Sequence, residues 1–94
     1  MVLLRRYLTV NILELKNILN REHVPAKYIS FNKSDKMVSE VTLCLRKQAD
    51  GRLLYYVQER ANREDEKYFN NEHDACLHIL KNLKYDYPST QKYL

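Results

Sequence analysis

Apolar residues recur at helical spacing near the start of the chain. One stripe is formed by Ile12, Leu15, Ile18 and Leu19. This spacing predicts an amphipathic helix from Asn11 to about Glu22. Asn11 and Glu14 form a capping-box pattern, in which each side chain binds a backbone N–H group at the helix start. Pro25 is expected to end the helix, because proline disfavours helical backbone at the residue before it.

Alternating apolar and polar residues then predict three strands. They span Tyr28 to Phe31, Val38 to Lys47 and Leu53 to Arg60. A polar turn from Asn32 to Lys36 separates the first two. The pair Asp50-Gly51 predicts a hairpin between the last two, since glycine tolerates a positive φ angle.

A second helix is predicted from Glu72 to Lys84, with Asn71 as its cap and Asp74 at the reciprocal position. Its apolar stripe consists of Ala75, Cys76, Ile79, Leu80 and Leu83. The tail from Tyr85 to Leu94 contains a proline and three tyrosines. Two arrangements are left open for this tail, which either packs against the sheet or stays loose.

The predicted order is α-β-β-β-α, an α+β fold. The simplest architecture is a three-stranded antiparallel meander with both helices on one face, which buries both helical stripes in one core. The other face of the sheet is left to water or to a partner. We expect a single domain over residues 1–94, with its core between about residues 11 and 84.

Composition limits the possible functions. The chain has 94 residues, of which 45% are hydrophobic and 30% charged, so a folded globular domain is expected. It contains a single glycine, which excludes glycine-rich nucleotide-binding motifs. The apolar start Met1 to Leu4 is shorter than a signal sequence and is followed at once by Arg5-Arg6. We therefore expect a cytoplasmic protein in which Cys44 and Cys76 are reduced and buried.

Residues with catalytic or metal-binding chemistry are present but scattered. His73 and Cys76 lie three positions apart, and His78 and Cys44 are the nearest additions, yet no tightly spaced ligand pair exists. No nucleophile, base and orienting group form a recognisable set. His23 and His73 are interpreted as solvated surface residues. The sequence thus predicts no metal, no cofactor and no enzymatic activity.

The segment from Glu59 to Lys67 is crowded with charges of both signs. One interpretation is a solvated connection with weak local ion pairs. The other is a recognition loop, because charge patterns favour specific and fast association, and tyrosines flank the segment. The candidate contact residues are Tyr56, Glu59, Arg60, Arg63, Glu64, Asp65, Glu66 and Tyr68.

Nucleic-acid binding is the alternative function. The order α-β-β-β-α is also that of the double-stranded-RNA-binding domain, and the net charge is +4. In such domains a lysine-rich start of the last helix binds phosphates. Here the corresponding residues 71–74 include the carboxylates of Glu72 and Asp74, which would repel phosphates.

Three short motifs resemble one family of small immunity proteins from bacterial polymorphic-toxin and contact-dependent inhibition loci. The motifs are the run from Tyr55 to Arg60, the run from Lys67 to Phe69, and the run from Glu72 to Cys76. That family has an aromatic strand ending in Glu-Arg-Gly and a final helix opening Phe-x-x-Glu-x-x-Ala-Cys. The chain departs from it at Ala61, which replaces the glycine, and in having no tryptophan in the third strand.

The resemblance implies a non-enzymatic inhibitor. Such a protein binds the C-terminal toxin domain of its own system in a one-to-one complex and blocks its active site or a substrate surface. Toxins of these loci are often nucleases, whose basic surfaces would favour an acidic face such as Glu64, Asp65 and Glu66. The net charge of +4 argues against simple mimicry of nucleic acid, and an acidic toxin or binding at an exosite fits it equally well. No membrane partner is expected, and nucleic acid is not the expected partner.

Overall fold

The computed structural model describes residues 10–32, 40–60 and 62–94, which form an α+β fold. The helices of this part of the chain are α1 (Ile12–Arg21) and α2 (Glu72–Leu83). The strands are β1 (Ile29–Ser30), β2 (Val41–Lys47), β3 (Leu53–Glu59) and β4 (Asn62–Phe69). Short 3-10 helices span Ala26–Tyr28 and Pro88–Tyr93. No helix of the described residues is long and apolar enough to cross a membrane.

Both helix starts are capped by the predicted asparagines. The Asn11 side chain accepts a hydrogen bond from the N–H of Glu14 at 2.8 Å, and Asn71 accepts one from the N–H of Asp74 at 2.8 Å. The end of α1 is set by His23, whose φ of 59° is left-handed. The N–H of Val24 then bonds to the carbonyl of Leu19 at 2.9 Å, so the helix closes in a Schellman motif before proline is reached.

The sheet has four strands in the order β1-β2-β3-β4. Strands β2 and β3 are antiparallel around the predicted hairpin, where Gly51 has a φ of 92°. Strand β1 runs parallel to β2, with Ile29 opposite Leu43, so the predicted antiparallel meander is wrong. Alternation of apolar and polar residues shows that a segment is extended, but it does not show in which direction the strand runs. Residues 31–40 contain no two-residue turn signal that would fix the direction of β1 relative to β2. The predicted start of β2 at Val38 and most of the polar turn from Asn32 to Lys36 lie outside the described residues.

The prediction that the charged segment from Glu59 to Lys67 is a loop is also wrong, because most of this segment belongs to strand β4. This strand pairs antiparallel with β3, placing Asn62 opposite Glu59 and Phe69 opposite Leu53. Nearly all of its residues are exposed, so it lacks the apolar alternation that marks a half-buried strand. Between Lys67 and Glu64 the register shifts by a bulge, and Asp65 there has a φ of 56°.

The main core lies between the helices and one face of the sheet, as predicted. Leu15 of α1, Ile79 and Leu80 of α2, and Leu45 and Tyr55 of the sheet are all nearly inaccessible to solvent. The tail packs rather than staying loose, because Tyr93 is 3% exposed and belongs to this core. The tail packs against the helices, because the Tyr93 hydroxyl group accepts a hydrogen bond from Arg21 and donates one to Glu22 at the end of α1.

The opposite face of the sheet is buried at its centre, so it is not simply left to water. Cys44, Leu54 and Tyr56 form a second apolar cluster there, and Thr42 and Arg46 beside them are also buried. Cys76 lies in the main core on the other side of the sheet. The two reduced thiols are therefore separated by the sheet and do not form a disulfide.

Candidate protein-interaction surface

The candidate residues lie along the hairpin of β3 and β4, at one edge of the sheet. Directly opposed residues of antiparallel strands point to the same side. Because Val57 faces the helices and is opposite Glu64, the Glu64 carboxylate projects on the helix side of the edge. Arg63 is opposite Gln58 and projects on the other side. The helix side of the edge thus carries the two glutamates Glu59 and Glu64 with one lysine, Lys67, and we call it the acidic side; the other is called the basic side.

On the acidic side, two carboxyl groups contact each other. Glu59 and Glu64 share a side-chain hydrogen bond, and this bond, the negative charge of Glu59 and the charge of Asp65 raise the pKa of Glu64 above its ordinary value of 4.5. Salt bridges in the described part of the chain join Asp50 to Arg52 and Glu22 to Lys92, and neither involves this pair. We call Glu59, Glu64 and Asp65 the acidic edge.

On the basic side, arginines stack on tyrosine rings. The guanidinium carbon of Arg63 lies 4.2 Å from the ring centroid of Tyr56, and that of Arg46 lies 5.9 Å from the same centroid. Arg52 lies 4.3 Å from the centroid of Tyr68. Such cation–π contacts hold long side chains in defined positions on a surface. Arg63 is thus presented on a ring that is itself buried.

Seven of the eight candidate residues are exposed, and the eighth is not. Tyr56 is only 3% exposed, so it supports the surface by holding Arg63. Tyr68 is 52% exposed and lies on the same side as Arg63. Glu66 is exposed at the bulge. The structure therefore brings the predicted residues to one edge, but divides them between its two sides.

The turn between β3 and β4 is fixed by backbone bonds around Arg60. This residue has a φ of 55°, its N–H donates to the carbonyl of Glu40 at 3.3 Å, and its carbonyl accepts from the Gln58 side chain at 2.7 Å. Ala61, which stands where the resembled family has glycine, lies outside the described residues. The turn therefore contains a left-handed backbone conformation at Arg60.

The start of α2 has a role that the sequence interpretation missed. Nδ1 of His73 accepts a hydrogen bond from the N–H of Val10 at 2.9 Å, so His73 is not merely a solvated surface residue. The Glu72 carboxylate accepts the N–H of Ile12 at 2.8 Å. These bonds join residues about sixty positions apart, and no local pattern indicates such a partner. They tie the start of α2 to the start of α1.

His78 lies on the side of α2 that faces the sheet. Its ring is 4.5 Å from that of Tyr55 in an edge-on arrangement and 5.3 Å from that of Phe69. Burial and the positive charges of Lys67 and Lys81 lower the pKa of His78. Among the described residues, no three side chains of histidine, cysteine, aspartate or glutamate converge as metal ligands would.

Comparisons with known proteins give no relative. No protein-family model matches the chain, and neither a curated protein nor a solved structure is detectably similar to it.

Proposed function

We propose that this chain is a cytoplasmic, non-enzymatic immunity protein that binds a toxin domain through the acidic edge. The strand register, which places Glu59 and Glu64 together on the helix side of the β3–β4 edge, is the observation that carries this proposal. Two exposed carboxylates in contact repel each other when both are ionised. A protein surface relieves this repulsion most directly when a cationic partner binds between them.

The expected partner is the basic substrate surface of a nuclease domain. Nucleases bind phosphates with lysine and arginine, so their active-site surfaces attract an acidic edge. Complementary charge of this kind speeds association and selects the correct partner. The net charge of +4 does not oppose this, since the acidic edge is local and the arginines lie on the other side of the sheet.

An RNA-binding module is the second candidate, and the basic side of the edge favours it. Arg52 and the half-exposed ring of Tyr68 form the type of stacked pair on which a base could stack. The start of α2 does not favour it, because Glu72 accepts the N–H of Ile12 in α1 and His73 accepts the N–H of Val10 just before α1. RNA binding would show a steep fall of log affinity with log salt, which the proposed protein complex would not share to the same degree.

Titration calorimetry tests the proposal. The probe is the C-terminal domain encoded immediately upstream of this gene, made catalytically inactive. We expect a one-to-one complex of nanomolar affinity at physiological salt. The double substitution of Glu59→Gln and Glu64→Gln should weaken it by about tenfold or more, as for loss of close charge pairs at an interface.

The matched control is Glu14→Gln, which removes one exposed carboxylate on α1. This variant should bind as the unmodified chain does. Failure of the unmodified chain to bind would overturn the proposal. Equal binding by the double variant would show that the acidic edge is not the contact surface.

A further inference from the structure

A second feature lies next to the acidic edge on the same side of the sheet. A cavity of about 480 Å³ opens between the start of β2 and the end of α2. Its walls are formed by Tyr28, Val41, Leu43, Leu83 and Tyr87, with Asp86 at the wall near the tail. We call this cavity the tyrosine pocket.

The apolar walls of the tyrosine pocket are partly exposed. Val41 is 44% exposed, although it begins a strand and faces the main core side of the sheet. The rings of Tyr28 and Tyr87 are 6.5 Å apart and inclined by 52°. Two inclined rings and a branched aliphatic side chain provide a surface for a flat or long side chain, with π faces that attract cations.

The tyrosine pocket also contains polar acceptors. The Asp86 carboxylate is exposed and takes part in neither of the salt bridges formed in the described part of the chain. Asn82, which also lines the cavity, donates its amide to the carbonyl of His78 at 2.9 Å. Burial, the neighbouring Tyr28 and the charge of Asp86 raise the pKa of Tyr87.

The pocket is continuous with the acidic edge through the register of the sheet. Val41 is directly opposite Glu59, and Leu43 is opposite Val57, which is in turn opposite Glu64. Opposed residues share a side of the sheet with their Cβ atoms about 5 Å apart. A partner that covers Glu59 therefore lies beside the mouth of the pocket.

We propose that the tyrosine pocket receives an arginine side chain of the toxin domain that the acidic edge binds. This inference rests on the proposed function and specifies one contact within it. The aliphatic part of arginine fits the apolar walls, while its planar guanidinium stacks on tyrosine and binds a carboxylate through two N–H groups. An apolar side chain in the same place would cover Asp86 without pairing its charge, which is unfavourable.

Lysine is the closest competitor for this place. The ammonium group of Lys27 already lies 5.3 Å from the centroid of Tyr28, so one ring of the pocket accepts a cation of that kind. An ammonium group cannot stack as a plane on the second ring. Arginine is therefore expected to bind more tightly than lysine.

The first test titrates small probes into the ¹⁵N-labelled chain by NMR. The probes are the N-acetyl methylamides of arginine, lysine and norleucine. We expect the arginine probe to shift the amide signals of Tyr28, Val41, Asp86 and Tyr87 at millimolar concentration, and Asp86→Asn to weaken its binding by about tenfold, as for loss of a charged partner. Glu14→Gln is the matched control and should leave the titration unchanged. Equal binding of the norleucine probe, or no shift at these residues, would overturn the inference.

The second test separates this inference from the proposed function. Asp86→Asn is compared with the Glu59→Gln and Glu64→Gln double variant in calorimetry with the inactive toxin domain. A loss of affinity of about tenfold or more in both variants supports the pocket contact. A loss in the double variant alone overturns the pocket contact while the proposed function stands. Absence of any complex with the unmodified chain overturns both.

Discussion

The carboxylate of Glu72 accepts a hydrogen bond from the backbone N–H of Ile12 at 2.8 Å, so the first residue of α2 caps the first turn of α1. An N-terminal N–H group of a helix has no partner within the helix. We expect Glu72→Ala to lower the free energy of unfolding by about 1 kcal/mol, the usual effect of losing a cap. Urea denaturation followed by circular dichroism measures it.

Two further variants define the cause of that loss. Glu72→Gln keeps an acceptor oxygen, so it should retain most of the stability. Glu66→Ala removes an exposed glutamate from β4 and serves as the control, with little expected change. A Glu72→Ala variant as stable as the Glu66→Ala variant would show that the bond to Ile12 does not stabilise the fold.

The motif at the start of α2 shows how much the sequence could predict. Phe69, Ala75 and Cys76 all pack into the main core, which explains why a pattern of these residues predicts the helix and its buried face. The capping asparagines and the Asp50-Gly51 hairpin were predictable for the same reason, since each depends on residues close in sequence. The partner of Glu72 was not, because it lies sixty positions away.

Strand β4 was missed for a different physical reason. An edge strand with water on both sides needs no apolar residue, and charges along such an edge discourage aggregation. Glu64 and Lys67 therefore resemble loop residues in sequence. The direction of β1 was missed because two residues contain no information about parallel or antiparallel pairing. The candidate residues were proposed as one group, and their division between two sides of the edge depends on this strand.

The C-terminal segment is held to α1 by a carboxylate that should protonate only in strong acid. Glu22 accepts bonds from the Tyr93 hydroxyl at 2.7 Å and from the Lys92 ammonium at 2.9 Å. Hydrogen bonds from Ser89, Tyr93 and Lys92 lower the pKa of Glu22 from 4.5 to about 2. Because the folded-state pKa is depressed, this stabilisation is present above pH 4.5 and is lost as the pH falls towards about 2.

Thermal unfolding at a series of pH values checks this expectation. The midpoint of the unmodified chain should fall between pH 4.5 and about 2 more steeply than that of Glu22→Gln, which has no charge to lose there. Glu66→Gln, which removes an exposed carboxylate from β4, is the control and should follow the unmodified chain. Parallel curves for the unmodified chain and Glu22→Gln would contradict the assigned role of Glu22.

Both thiols should be slow to react in the folded protein. Burial raises the pKa of Cys76 to about 12 and also raises the pKa of Cys44 above its ordinary value of 9.0. Thiolate is the reactive form, so little of it exists at pH 8. A thiol reagent such as DTNB should label two groups per chain in denaturant and react far more slowly without it. Fast reaction in the native state would contradict the burial of these thiols, and a disulfide after mild oxidation would contradict their separation by the sheet.

The left-handed backbone at Arg60 stores strain that a single substitution should release. The φ angle of Arg60 is 55°, a left-handed conformation that costs conformational free energy for arginine. Asparagine tolerates that region better. We expect Arg60→Asn to raise the free energy of unfolding by about 0.5–1 kcal/mol. Arg60→Val at the same position should lower it, because β-branched residues are disfavoured there. Chemical denaturation of both variants checks the order, and equal stabilities would contradict it.

The contact between Glu59 and Glu64 should lower the stability of the fold near neutral pH. A hydrogen bond between two carboxyl groups needs a proton, and the raised pKa of Glu64 reflects that need. Because the folded-state pKa is raised, the folded chain binds more protons than the unfolded chain above pH 4.5, and its stability falls as the pH rises through the raised pKa.

Glu64→Gln places a permanent donor beside Glu59 and removes the repulsion. The difference in melting temperature between Glu64→Gln and the unmodified chain should therefore grow from pH 4.5 to pH 7 in favour of the variant. Glu66→Gln, on the same strand, should show no such growth. A variant that is less stable than the unmodified chain at pH 7 would show that the pair stabilises the fold and has no repulsion for a cationic partner to relieve.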